Sequence, residues 1–259
     1  MTDAPPPRSP LGRLDVSLRA FAAFLLIAPL SVVYFALCLL LLPWRSLRIR
    51  VGNLYGKLVG RWVLRATGIV PVVHHRERLN DSRPALYVSN HAATIDMWAG
   101  MWLCPFGGCG VAKKEIVRVP FFGQAYLLSG HLLLDRGHRD RAIASMNRIA
   151  RQVRAHRLSL WMWPEGTRSK DGRLQPLKKG FVHLALATGL QIVPVVVHDA
   201  DLLWSRGMRI IPGEVHIDVL EPIDTSAWQL DSADAHADEV WTRLQGALGE
   251  RQRGALPHA

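Results

Sequence analysis

Ser89-Asn90-His91-Ala92-Ala93-Thr94-Ile95-Asp96 joins a strand-like run to a helix-like one and sets an imidazole and a carboxylate five residues apart. On one continuous helix that offset is about 140° of rotation, so the two groups would not share a face. With His91 in the strand-to-helix turn, the ring can swing back over the first helical turn toward Asp96. The carboxylate then accepts from Nδ1–H, fixes the tautomer and leaves Nε2 as a base. That is a general-base dyad whose nucleophile comes from the substrate. The plainer alternative is a helix capped by Ser89 or Asn90 beside a surface histidine.

Two further segments carry groups suited to a phosphate. Trp163-Pro164-Glu165-Gly166-Thr167-Arg168-Ser169 follows a strand-like run. Arg168 offers a guanidinium fork, and N–H groups near Gly166 could assist it. Glu165 would accept from a substrate hydroxyl or orient Arg168. An ordinary loop with a surface ion pair has the same composition. The stretch from Lys113 to Arg136 holds Pro120, Gly123, Gly130 and then Asp135-Arg136. Arg136 is a second phosphate ligand in this reading, with Lys113 nearby. An Asp135–Arg136 turn and a snorkelling lysine are the alternatives.

The elements that must position these groups read as alternating strands and helices. Strands are expected at Val70–His74, Ala85–Ser89, Gly110–Ala112, Leu132–Leu134, Leu158–Met162, Ile192–Val197 and Val215–Leu220. Helices are expected at Ile95–Leu103, Phe121–Leu128, Arg139–His156, Gly180–Thr188 and Ala235–Leu248. The alternation implies a single α/β domain with a mixed, largely buried sheet flanked by helices.

Phe21 to Leu42 carries no charge and no polar stripe. As a helix it would be roughly 33 Å long, against a bilayer core of about 30 Å. Pro43-Trp44-Arg45 follows it in place of a small-residue cleavage site, which fits a signal peptide poorly. Either a tilted membrane helix or a helical hairpin bent near Pro29 is expected, with Leu47 to Val63 as an interfacial amphipathic helix. The chain has 32 Lys and Arg against 21 Asp and Glu, a net charge of +11. That excess suits an anionic membrane surface. No aromatic-interleaved basic strand or zinc module supports nucleic acid, and a DNA binder is suggested by charge alone. Three cysteines without ligand spacing argue against a disulfide framework or a metal site.

The quoted blocks together resemble the glycerolipid acyltransferases. That family's Asn-His-x4-Asp block matches Asn90, His91 and Asp96. Its second block matches Lys113, Pro120, Gly123, Gly130, Asp135 and Arg136, with Ile116 for Leu and Leu134 for Ile. Its Phe-Pro-Glu-Gly-Thr-Arg-Ser block matches Pro164 to Ser169, with Trp163 for Phe. Its apolar Val-Pro strand matches Ile192 to Val195. The resemblance implies transfer of a fatty acyl chain from acyl coenzyme A or acyl carrier protein to the free hydroxyl of lysophosphatidic acid. His91 and Asp96 would be catalytic. Asn90, Lys113, Arg136, Glu165, Gly166, Thr167 and Arg168 would bind substrate, with no metal and no bound cofactor. Another acceptor such as a lyso-ornithine lipid, or an inactive lipid-binding protein, would fit many of the same features. Residues 1–19 are expected as a disordered basic N-terminus, 20–66 as a membrane anchor, 67–250 as the catalytic domain and 251–259 as a tail. A cytoplasmic membrane of bacterial type is the expected location, with the catalytic domain on its cytoplasmic face.

Overall fold

The computed structural model describes residues 10–119, 122–135, 139–204 and 210–255. In chain order it contains α1 (Pro10–Leu40), α2 (Arg45–Thr67), β1 (Ile69–His74), α3 (Arg78–Asp81), β2 (Leu86–Ser89), α4 (Ile95–Leu103) and β3 (Gly108–Lys113). It continues with α5 (Phe122–Leu128), β4 (Leu132–Leu134), α6 (Arg139–His156), β5 (Ser159–Met162), α7 (Gly180–Thr188) and β6 (Ile192–Val197). The last elements are α8 (Ala200–Leu203), β7 (Gly213–Val219) and α9 (Ala233–Ala247).

The strands form a seven-stranded sheet in the order β1-β7-β6-β2-β5-β3-β4. From β6 to β4 every pairing is parallel, while β7 runs antiparallel to β6 and carries β1 alongside it. Parallel strands need helical crossovers that cover both faces, so their side chains are buried on both sides. β2, β5 and β6 are buried along their whole lengths. Alternate residues feed two cores. Leu86, Val88, Leu160 and Met162 meet Phe181, Val153 and Leu244 from α7, α6 and α9. Tyr87, Trp161, Val193 and Val195 meet Leu64, Ile95 and Ala99 from α2 and α4.

The hairpin expected to bend near Pro29 does not form, and the chain reverses only after the apolar run. α1 runs unbroken through Pro29, and the chain turns at Leu41–Trp44. A proline removes one helix N–H, whereas breaking the helix among apolar side chains would orphan several more backbone groups. The Ser31 hydroxyl donates to the Ile27 carbonyl beside it. Phe21–Leu40 is long and apolar enough to cross a membrane, and Phe21, Phe24, Val32 and Leu40 are each more than half exposed. Residues 10–19, expected to be disordered, are part of α1.

α2 is more than an interfacial helix. Gly52, Gly56 and Gly60 recur every fourth residue on one face. A Cβ at Gly60 would stand 2.5 Å from the Trp98 carbonyl, and one at Gly56 would touch Met101. Gly60 lets α2 press onto the α4 backbone and Gly56 onto the Met101 side chain, which fastens the two N-terminal helices to the α/β domain. Its other side leaves Leu54 and Leu58 exposed. The expected tail also packs in part. Gln252 is buried, its carbonyl accepts from Leu174 N at 2.8 Å and its amide oxygen accepts from Asp199 N at 3.0 Å.

Candidate active site

The carboxyl ends of β2, β5, β3 and β4 lie along one edge of the sheet, where open α/β sheets place their ligand crevices. β2 and β5 are neighbours, with Val88 opposite Met162. The turn after β2 therefore faces the turn after β5.

In the first turn, the His91 ring swings back toward the helix. Nδ1 lies 3.0 Å from Asp96 Oδ2. A carboxylate oxygen only accepts, so Nδ1 carries the proton and Nε2 is the basic nitrogen. The same Oδ2 accepts from Ala92 N at 2.6 Å and Ala93 N at 2.7 Å. Asp96 thus folds the turn and orients the ring with one oxygen. Asp96 is 1% exposed, whereas the His91 side chain is 17% exposed and so is the member of the pair open to solvent. Trp163 stacks on the imidazole, with ring centroids 4.9 Å apart and planes 26° apart. Gly100 makes room for that indole, since a Cβ there would stand 3.0 Å from Trp163 Cζ2.

The second turn is tied to the first at three points. Glu165 Oε1 accepts from His91 N at 2.6 Å, Ser169 N donates to the His91 carbonyl at 2.8 Å, and Arg168 Nη1 donates to Thr94 Oγ1 at 2.8 Å. Arg168 is half-buried beside the histidine turn. Gly166 has φ +74°, a left-handed conformation that glycine adopts without a Cβ penalty.

Several groups expected to touch substrate are engaged in building the loops. The Asn90 amide donates to the Val197 carbonyl at 2.9 Å and accepts from Val197 N at 2.8 Å. It thereby continues the β2–β6 pairing with a side chain. Both Glu165 oxygens are occupied, the second by Gln175 N at 3.1 Å, and Glu165 is 3% exposed. Gly166 N donates to the Trp163 carbonyl at 3.1 Å, so that N–H is used within its own turn. Thr167 is exposed. Lys113 is exposed at the end of β3, while its neighbour Lys114 is the one that pairs with Asp135, at 3.0 Å. Arg136 and Pro120 lie outside the described residues. Nothing local in the sequence marks Gly100 and Thr94 for these contacts. Trp163 did carry a signal, as the one departure in its block.

Among the described residues no group of three His, Cys, Asp or Glu side chains is arranged to hold a metal ion. Burial pushes the Cys104 thiol up to about 12 and Cys109 higher still, so neither supplies a thiolate nucleophile near neutral pH.

Burial pushes the Glu165 carboxyl up to about 8 from its usual 4.5, against the pull of the His91 and Gln175 N–H donors. A carboxyl raised in the folded state favours folding most when protonated. Its contribution to stability therefore falls as pH rises from about 4.5 to about 8, and levels off above that. Thermal melts at about pH 5.5 and pH 8.5 check this. Wild type is expected to lose more Tm across the interval than Glu165→Gln; equal losses would remove the assignment.

A family model described as Acyltransferase matches residues 70–198. A 1-acyl-sn-glycerol-3-phosphate acyltransferase of Limnanthes douglasii is 43% identical over 223 residues, covering 86% of this chain and 79% of that protein. The enzyme of the same name from Cocos nucifera is 39% identical over 237 residues, covering 91% and 76%. That of Escherichia coli K12 is 37% identical over 147 residues, covering 57% and 60%. Among solved structures, the 1-acyl-sn-glycerophosphate (LPA) acyltransferase PlsC from Thermotoga maritima superposes with a TM-score of 0.60 at 21% identity, covering 88% of this chain and 95% of that one. At that identity the likeness speaks to the fold.

Proposed function

The chain belongs to the acyltransferase family, and on that footing we propose that it esterifies the free hydroxyl of lysophosphatidic acid from an acyl thioester, giving phosphatidic acid. The observation that carries the reading is the joining of two turns: His91, held by Asp96 at 3.0 Å, and Arg168, held by Thr94 at 2.8 Å, stand on loops bound to each other.

An alcohol is a poor nucleophile at neutral pH. His91 Nε2 takes the hydroxyl proton as the oxygen attacks the thioester carbon. Asp96 stabilises the imidazolium so formed. The tetrahedral intermediate then collapses, the C–S bond breaks, and the departing thiolate recovers the proton from Nε2. The acyl group passes directly between substrates, with no acyl-enzyme. Arg168, and Arg136 by sequence, supply cations for the acceptor phosphate. Both acceptor and product are membrane lipids, so an anchored domain takes its substrate at the bilayer surface without drawing it into water. The reading places α1 in the bacterial cytoplasmic membrane with the α/β domain on the cytoplasmic side, and leaves coenzyme A and acyl carrier protein as alternative thioester carriers.

Acyl transfer by the full-length protein to lysophosphatidic acid, monoacylglycerol and lyso-ornithine lipid, from each donor, tests it. The phosphorylated acceptor is expected to lead monoacylglycerol by about a hundredfold in kcat/KM, two ionic hydrogen bonds' worth. Arg168→Lys, which keeps the charge and loses the fork, should raise KM for lysophosphatidic acid about tenfold and change monoacylglycerol little. Faster acylation of the phosphate-free lipids would overturn the reading.

A further inference from the structure

A cavity of about 670 Å³ opens at the amino end of β4, while Asp135 and the catalytic edge lie at its carboxyl end. Phe35 and Leu42 of the anchor form part of its apolar wall, and Arg45, Arg48, Arg148 and His131 bring nitrogen donors to it. Three guanidiniums thus share one cavity, and no carboxylate stands among its described lining residues.

Neutral carbonyls satisfy only part of this set. Arg45 Nε donates to the Gly130 carbonyl at 2.9 Å, and Arg48 Nη1 to the Leu128 carbonyl at 2.6 Å. Both bonds cap the turn between α5 and β4 and leave the charges unbalanced. Arg48 Nε and His131 Nδ1 are buried without a partner. Burial, and then the charges of Arg48 and Arg148, lower Arg45 from its usual value. Burial and Arg45 push the His131 imidazole down to about 4, so it stays neutral at ordinary pH. Clustered cations with an orphaned Arg48 Nε–H call for an anion with several acceptor oxygens. The surroundings decide what carries it. The wall is largely apolar, and it continues onto the end of α1, where Leu39 and Leu40 are more than half exposed.

We infer that this cavity is a non-catalytic site for an intact anionic phospholipid, its phosphate among Arg45, Arg48 and Arg148 and its chains along Phe35, Leu42 and the exposed side of α1. The site is independent of which acceptor the enzyme acylates. It would fix the depth and tilt of the anchor in an anionic leaflet, and the three-residue β4 links it to the catalytic edge.

Full-length protein in micelles carrying equal phosphatidylglycerol and phosphatidylcholine provides the test, with lipid retained after affinity purification counted by mass spectrometry. Phosphatidylglycerol is expected at about one molecule per chain, with phosphatidylcholine at background. Arg48→Gln/Arg148→Gln should lower that retention about tenfold, the loss of one or two ionic hydrogen bonds. Arg148→Gln alone, on an exposed side chain, should lower it in the same direction and serves if loss of the Arg48 bond to Leu128 disturbs folding. Arg141→Gln/Arg151→Gln removes equal charge outside the cavity and should leave retention unchanged. Three results would overturn the inference: equal retention of both lipids, an equal fall in the control pair, or displacement by excess inorganic phosphate. Because the readout is binding, failure of the proposed acceptor in the turnover assay would leave this result standing.

Discussion

Replacing His91 by alanine is expected to lower turnover by about three orders of magnitude, the range over which a positioned general base acts. The loss should fall on kcat, with little change in KM, because the missing interaction is made while the hydroxyl proton moves. The variant should fold. The backbone bonds that close the two turns, His91 N to Glu165 and Ser169 N to the His91 carbonyl, do not use the ring. Membrane association should also persist, since the exposed apolar side chains of α1 lie on another part of the molecule. Turnover with lysophosphatidic acid and an acyl thioester, run beside vesicle flotation, separates these effects. A variant that keeps more than about a tenth of wild-type turnover would strip His91 of the base role, because the weakest general-base contribution exceeds that.

How much of this site the sequence discloses depends on how local each cause is. The strands Leu132–Leu134 and Ile192–Val197 and the helices Ile95–Leu103, Arg139–His156 and Gly180–Thr188 lie where the apolar patterns put them. Their signals are runs and periods that need no knowledge of neighbours. The five-residue offset between His91 and Asp96 also points to a turn on steric grounds, and the ring does reach the carboxylate there. What stayed hidden depends on pairing. Asn90 sits beside a motif histidine, yet its amide serves Val197, more than a hundred residues later, because β6 lies next to β2. Glu165 looks like a free carboxylate in a loop, and the adjacency of β5 and β2 turns it into the brace of the His91 turn. The glycines of α2 are ambiguous in the same way. Glycine weakens an isolated helix, and only the close approach of Trp98 explains Gly60.

Asp96 separates a charge effect from a scaffold effect. Its Oδ2 accepts from the His91 ring, Ala92 N and Ala93 N, whereas its buried Oδ1 has no partner. In Asp96→Asn the amide oxygen can take over all three bonds, with the NH2 group where Oδ1 stood. The turn survives, and what disappears is the negative charge that, in the proposed mechanism, stabilises the imidazolium. We expect kcat to fall by about a hundredfold or more, with a smaller loss of Tm than in Asp96→Ala, because only the NH2 group, buried where Oδ1 had no partner, is left unpaired. In Asp96→Ala the charge is lost again, and two backbone N–H groups and the ring are left without an acceptor in a site that is 1% exposed. Orphaned buried donors cost about 1–3 kcal/mol each when water cannot reach them. Partial relaxation of the turn leaves a net loss of about 3 kcal/mol, a Tm decrease of about 6–12 °C for a chain of this size. Calorimetry and turnover on both variants give the two axes. If Asp96→Asn kept full kcat while Asp96→Ala lost stability, the carboxylate would be a brace for the turn, and the imidazolium would have to be stabilised by something other than its charge.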